Sequence, residues 1–140
     1  LTVAELPVSW QEQWRASGER MVVRKVAAYP IGGGRAVVSA GVAGIAYASP
    51  ALLSHMHLFL GVTTGAVAAG DRADVVVTGL VEDSSWQFAP GQPVFLSAVT
   101  QGVLTQAPPT LPASVFALRI GVALSPTSLF VRPSMPMALI

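Results

Sequence analysis

The chain contains no cysteine and no asparagine, has one lysine beside seven arginines, and carries little charge of either sign. Without thiols it can form neither a disulfide nor a thiolate metal site. Scarcity of thermolabile residues fits a heat-adapted source; a GC-rich genome gives the same bias, and composition does not separate the two. Charged residues make up 11% of the 140 positions and balance to a net charge of +1. That leaves no basic face for nucleic acid and no electrostatic pull toward an anionic membrane. Charge is missing altogether from Ala36 to Gly70. This neutral stretch is nevertheless broken by Ser39, Gly41, Gly44, Ser49, Pro50, Ser54, His55 and His57. No run therefore reaches the about 18 apolar residues of a membrane-spanning helix. A charged-then-apolar signal peptide is not visible at the start, which is Leu1.

What is present is apolar. Hydrophobic residues account for 52% of the sequence and the mean hydropathy is +0.60. A soluble monomer needs a mixed, charged surface, so part of the exterior is expected to be buried against other chains. The length suits one domain with a real core. The charges that exist are crowded forward, eight of the fifteen falling in the first 35 residues.

Those first residues differ from the rest, and the boundaries expected are an N-terminal arm over 1–28 and a β-domain over 29–140. Leu6-Pro7-Val8 is extended, because the residue before proline avoids helix. Ser9 followed by Glu12 forms a capping box. Trp10 and Trp14 then share one face at i, i+4, and Gly18 can stop the turn, which predicts a short helix over 10–17. Two turns are not stable alone, so Leu6, Trp10 and Trp14 must be buried against something. Packing on the chain's own body and docking on a neighbouring subunit both satisfy this.

From residue 20 onward short β-branched and aromatic runs alternate with glycine- and proline-containing turns. Strands are expected within 20–29, 35–40, 44–48, 58–63, 74–78, 93–97, 103–105, 115–124, 128–131 and 138–140. The stretch Asp74–Gln106 is the clearest, with three runs separated by Pro90-Gly91 and Gln101-Gly102 turns. Gly32-Gly33-Gly34 lacks the trailing Gly-Lys-Ser/Thr of a phosphate loop and reads as a flexible hairpin turn. Ser49-Pro50 reads as the N-cap and first position of a short helix over Ala51–Met56. The chain also echoes itself. Ile45–Ser49 resembles Val94–Ala98, Leu58–Val62 resembles Ala117–Val122 around Gly61 and Gly121, and Val75–Val77 resembles Leu129–Val131. Two such halves facing one another predict an all-β fold, a small closed barrel or sandwich.

No constellation of residues points to catalysis. Asp71 and Asp74 read as loop-capping residues rather than the opposed carboxylates of a glycosidase. Gly-x-Ser-x-Gly is absent. His55 and His57 have no third ligand nearby and read as structural or surface histidines. The chain is therefore expected to be no enzyme and to need neither metal nor cofactor. Trp86 and Phe88, flanked by Ser84, Ser85 and Gln87, could form a small ligand surface of the sugar-platform type or simply pack into the core.

The combination Gly70-Asp71, Val75–Val77, Gly79, Trp86, Pro90-Gly91-x-Pro93-Val94-Phe95-Leu96-Ser97, Gly102-x-Leu104-Thr105, Pro108-Pro109 and Ile120-Gly121-Val122-Ala123-Leu124-Ser125 resembles small β-rich virion proteins of tailed bacteriophages. These are head decoration, capsid-cement and head-fibre proteins, and the similarity runs from about Tyr29 to Pro133. The resemblance implies a homotrimer on the capsid surface of the virion, partnered by the major capsid protein and reinforcing the shell, with Leu6, Trp10 and Trp14 as the candidate capsid or subunit interface. The other role it implies is a head-fibre or tail-fibre module binding a host-surface glycan. Neither role involves nucleic acid or membrane as a partner.

Overall fold

The computed structural model describes residues 20–139, so the helix expected over 10–17 and the arm residues Leu6, Trp10 and Trp14 lie outside the described residues. Eleven strands are present within them: β1 (Met21–Val26), β2 (Ala36–Ser39), β3 (Ile45–Tyr47), β4 (Phe59–Thr63), β5 (Arg72–Glu82), β6 (Pro93–Leu96), β7 (Leu104–Thr105), β8 (Phe116–Ala117), β9 (Arg119–Ser125), β10 (Ser128–Val131) and β11 (Met137–Ala138). Helical structure among the described residues is confined to two 3₁₀ turns, Gly41–Ala43 and Leu53–His57. None of it is long and apolar enough to cross a membrane. The strands follow the β-branched runs closely. β1, placed by the sequence in the arm, instead pairs with β5 and belongs to the body.

Nine strands form one antiparallel sheet in the order β3-β2-β4-β5-β10-β9-β6-β7, with β1 added on β5; β8 and β11 form a separate pair. The chain is thus mostly β, as the turn spacing predicts. The sheet curls into a half-barrel, and its end strands β3 and β7 share no ladder, where the sequence predicts a small closed barrel or sandwich. The ends are tied by a single residue. Gly102, in the β6–β7 turn, donates its N–H to the Ala48 carbonyl (2.9 Å) and accepts from the Ala36 N–H (2.8 Å). Its φ is +78°, and a Cβ there would overlap the Tyr47 ring, so the tie admits only glycine.

The two halves of the sheet repeat one register. Val37 lies opposite Gly61 and Val94 opposite Gly121, and in both ladders the register shifts at the next residue. Val62 then pairs with Val76, and Val122 with Phe130. The glycines are required by close approach. A Cβ on Gly61 would overlap the Val76 carbonyl oxygen, and one on Gly121 the Phe130 carbonyl oxygen. The echo around Gly61 and Gly121 is therefore structural. Its first leg is corrected, because the ladder partner equivalent to Val94 is Val37 in β2, not a residue of β3. The echo of Ile45–Ser49 misled because short apolar runs resemble one another whatever strand they form.

Burial is not symmetric. The larger core cluster draws on both halves and includes Val62, Val76, Val81, Val94, Phe116, Leu129 and Val131. A second cluster, Ala27, Ile31, Val37, Ile45, Ala73 and Val75, covers the other face of the first half. The same ladder positions thus point opposite ways: Val76 enters the shared core, whereas Phe130, its equivalent, points away from it. A bulge in β5 explains the reversal. Met21 pairs with Thr78 and Val22 with Val76, which skips Val77. One extra residue inverts the in–out alternation beyond it, so Val81 joins the cluster of Val76 rather than that of Val75.

Two local expectations are also corrected. The Gly32–Gly34 turn is pinned rather than flexible. The buried Thr63 hydroxyl donates to the Gly32 carbonyl (2.7 Å) and accepts from the Arg35 N–H (3.1 Å), and the Gly34 N–H reaches the Thr63 carbonyl (2.8 Å). The helix expected over Ala51–Met56 is a 3₁₀ turn over Leu53–His57 without a side-chain cap. Ser49 Oγ spends itself on the Ala51 N–H at 3.3 Å, two residues on, which makes a serine turn in place of a helix start.

Candidate functional site

Trp86 and Phe88 follow β5 in a segment organised by Asp83. Its Oδ1 accepts from the Ser85 N–H (2.9 Å) and hydroxyl (2.6 Å), and its carbonyl accepts from the Trp86 N–H (3.2 Å). This turns both aromatic rings inward. Each is only 8% exposed, their centroids are 5.1 Å apart, and both belong to the larger core cluster. A shallow hollow of about 310 Å³ lies beside them, lined among others by Arg35, Gln87 and Gln106. The Gln106 amide is occupied by the backbone of Ala89, accepting from its N–H (2.8 Å) and donating to its carbonyl (2.9 Å). Both rings thus pack in the core cluster, and their edges also line the hollow.

The histidines sit in the 3₁₀ turn after β3. His55 Nδ1 accepts from the Ser49 N–H at 3.1 Å, and burial holds its pKa below the ordinary value of 6.5. His57 is exposed. Among the described residues no group of three metal-ligating side chains forms. Asp74 lies within β5 rather than in a loop and pairs with Arg24 of β1 at 2.9 Å, both exposed. A cross-strand ion pair replaces the loop cap because β5 begins at Arg72, two residues before the strand expected over 74–78.

The feature that sequence reasoning missed is a face. Beyond the bulge, β5, β10, β9 and β6 present Leu80, Phe130, Val122 and Pro93 in one cross-strand row. Leu80 is 43% exposed and Phe130 40%; Leu124, two residues along β9 from Val122 and so on the same face, is 57% exposed. An adjoining hollow of about 550 Å³ is lined by Arg119, Val122, Phe130, Arg132 and Ser134. Its signal was in the sequence. Leu129-Phe130-Val131 and Ile120–Leu124 are apolar at both parities, which a strand buried on one face does not need. Valines also crown the β2–β3 and β6–β7 hairpins, where Val42 and Val99 are almost wholly exposed. These surfaces suit contact with other protein.

A family model described as phage cement protein matches residues 15–128. The chain belongs to the phage cement protein family. The match spans the curled sheet from β1 to the start of β10, so it rests on the body that holds Gly61, Gly102 and Gly121. Leu6, Trp10 and Trp14 precede it. No curated protein matches the chain. As a phage cement protein it is a structural component of the bacteriophage capsid, in agreement with the resemblance carried by the turns and strands from Tyr29 to Pro133.

Proposed function

We propose that this cement protein binds the outer surface of the assembled phage head as a homotrimer, contacts the major capsid protein there, and stabilises the shell. The observation that carries the reading is the family match over residues 15–128. Low charge, high apolar content and the apolar surfaces at the hairpin tips support it, because obligate interfaces bury large apolar areas. A protein that binds only the assembled shell stabilises it by mass action, and many copies contribute together. The work is mechanical: the chain carries out no reaction and uses no cofactor. Burial of Trp86 and Phe88 favours this role over a glycan-binding fibre module.

Heads stripped of the protein should burst at lower temperature or on milder low-salt challenge than decorated heads, and adding purified protein back should restore them. Equal survival of stripped heads, coupled with loss of host adsorption, would refute the reinforcing role.

A further inference from the structure

We infer that the bare face of the second half-sheet, formed by Leu80, Val122, Leu124 and Phe130, is the docking site for the Trp10–Trp14 segment of the same chain. Three observations meet here. Met21 opens β1 opposite Thr78, and Leu80 follows two residues later on β5. The chain preceding Met21 therefore leaves the sheet at the margin of the bare face.

Reach is sufficient. From Arg20 back to Trp14 an extended chain covers about 20 Å. The face is four strands wide, about 14 Å at a spacing of about 4.8 Å. Trp14 and then Trp10 can thus lie over Phe130 and Val122 without leaving the subunit.

Charge agrees as well. Residues 1–19 hold Glu5, Glu12 and Glu19 against the single Arg15. The hollow at the near end of the face is lined by Arg119 and Arg132, and neither has an ion pair among the described residues. Glu82, the acid on this face, sits at the far end opposite Ser128. An acidic, tryptophan-bearing segment entering from the Thr78 end meets arginines first and apolar side chains beyond them. A second copy of this chain offers no exposed tryptophan from its described surface, since Trp86 is buried.

The absence of cysteine makes the test clean. A bimane fluorophore on Leu124→Cys of the full chain should be quenched by the tryptophans, and W10F/W14F should restore its emission several-fold. A bimane on Val42→Cys, at a hairpin tip, serves as the control and should not respond. The circular dichroism of each variant checks that the sheet has formed. Emission from the Leu124 site that is the same with and without the two tryptophans overturns the proposal. Mixing labelled W10F/W14F subunits with unlabelled wild type supplies the second arm. Quenching that appears only in the mixture assigns the segment to a neighbour and overturns docking on its own subunit. Neither arm depends on capsid binding, so this inference and the cementing role can fail separately.

Discussion

The two halves of the sheet are built on one ladder and buried in opposite senses. In the first half the Val62–Val76 pair is wholly buried in the shared core, and the opposite face is sealed by Ala27, Ile31 and Tyr47. In the second half the equivalent Val122–Phe130 pair is left half-open, while its neighbours Leu129 and Val131 fill the core. The difference shows that a repeated local pattern need not produce a repeated environment. A single skipped residue, Val77, decides which face turns inward, and the half with an uncovered face is the one equipped to receive another segment.

Breaking what the halves share should have the largest effect. Gly61→Val and Gly121→Val each drive a side chain into a backbone carbonyl that cannot retreat. Either should lose about 3 kcal/mol or more in urea unfolding, at the severe end of overpacking. Near-equal losses would confirm that the two crossings are equivalent; a tolerated valine at either site would remove that equivalence.

Testing where the halves differ should give intermediate effects. Val76→Ala empties a site with no solvent exposure and should cost about 2 kcal/mol. Phe130→Ala, in a chain trimmed of residues 1–14 so that the face is bare, should cost less than about 1 kcal/mol, because its ring is already partly hydrated. Equal costs by chemical denaturation would erase the asymmetry drawn from burial.

The smallest effect separates the halves by pH. The link after β3 carries His55, whereas the corresponding link between β7 and β8 has no titratable side chain. His55 accepts from the Ser49 N–H as the neutral ring, and burial lowers its folded pKa below 6.5. With the folded pKa depressed, its contribution is complete above pH 6.5. It is lost as pH falls below 6.5, where the unfolded chain binds the proton first. Stability measured from pH 8 to 5 should fall in wild type and fall less in His55→Gln; superimposable profiles would discount the Ser49 contact.

Much of the fold was legible because it is written in near-neighbour chemistry. Pro90-Gly91 and Gln101-Gly102 turn the chain, β-branched runs such as Val75–Val77 extend it, and the Gly-Val pairs at 61–62 and 121–122 mark the same crossing. The site was less legible. Trp86 and Phe88 look alike on paper whether they face solvent or core, and only the Asp83 turn directs them inward. The pairing of Val94 with the wrong counterpart came from matching runs by composition, when strand equivalence is a matter of long-range register.

By itself, then, the sequence determined a mostly β body, its turns, its low-charge and cysteine-free composition, and its likeness to virion proteins. These depend on residue type and on intervals of a few positions. Which face of each half is buried was decided only by tertiary structure. Strands such as Leu129–Val131 are apolar at both parities, so alternation cannot say which side is in. The Val77 bulge, the Gly102 tie between the sheet ends and the cover supplied by Ala27 and Ile31 settle it, and each is a contact between residues far apart in the chain.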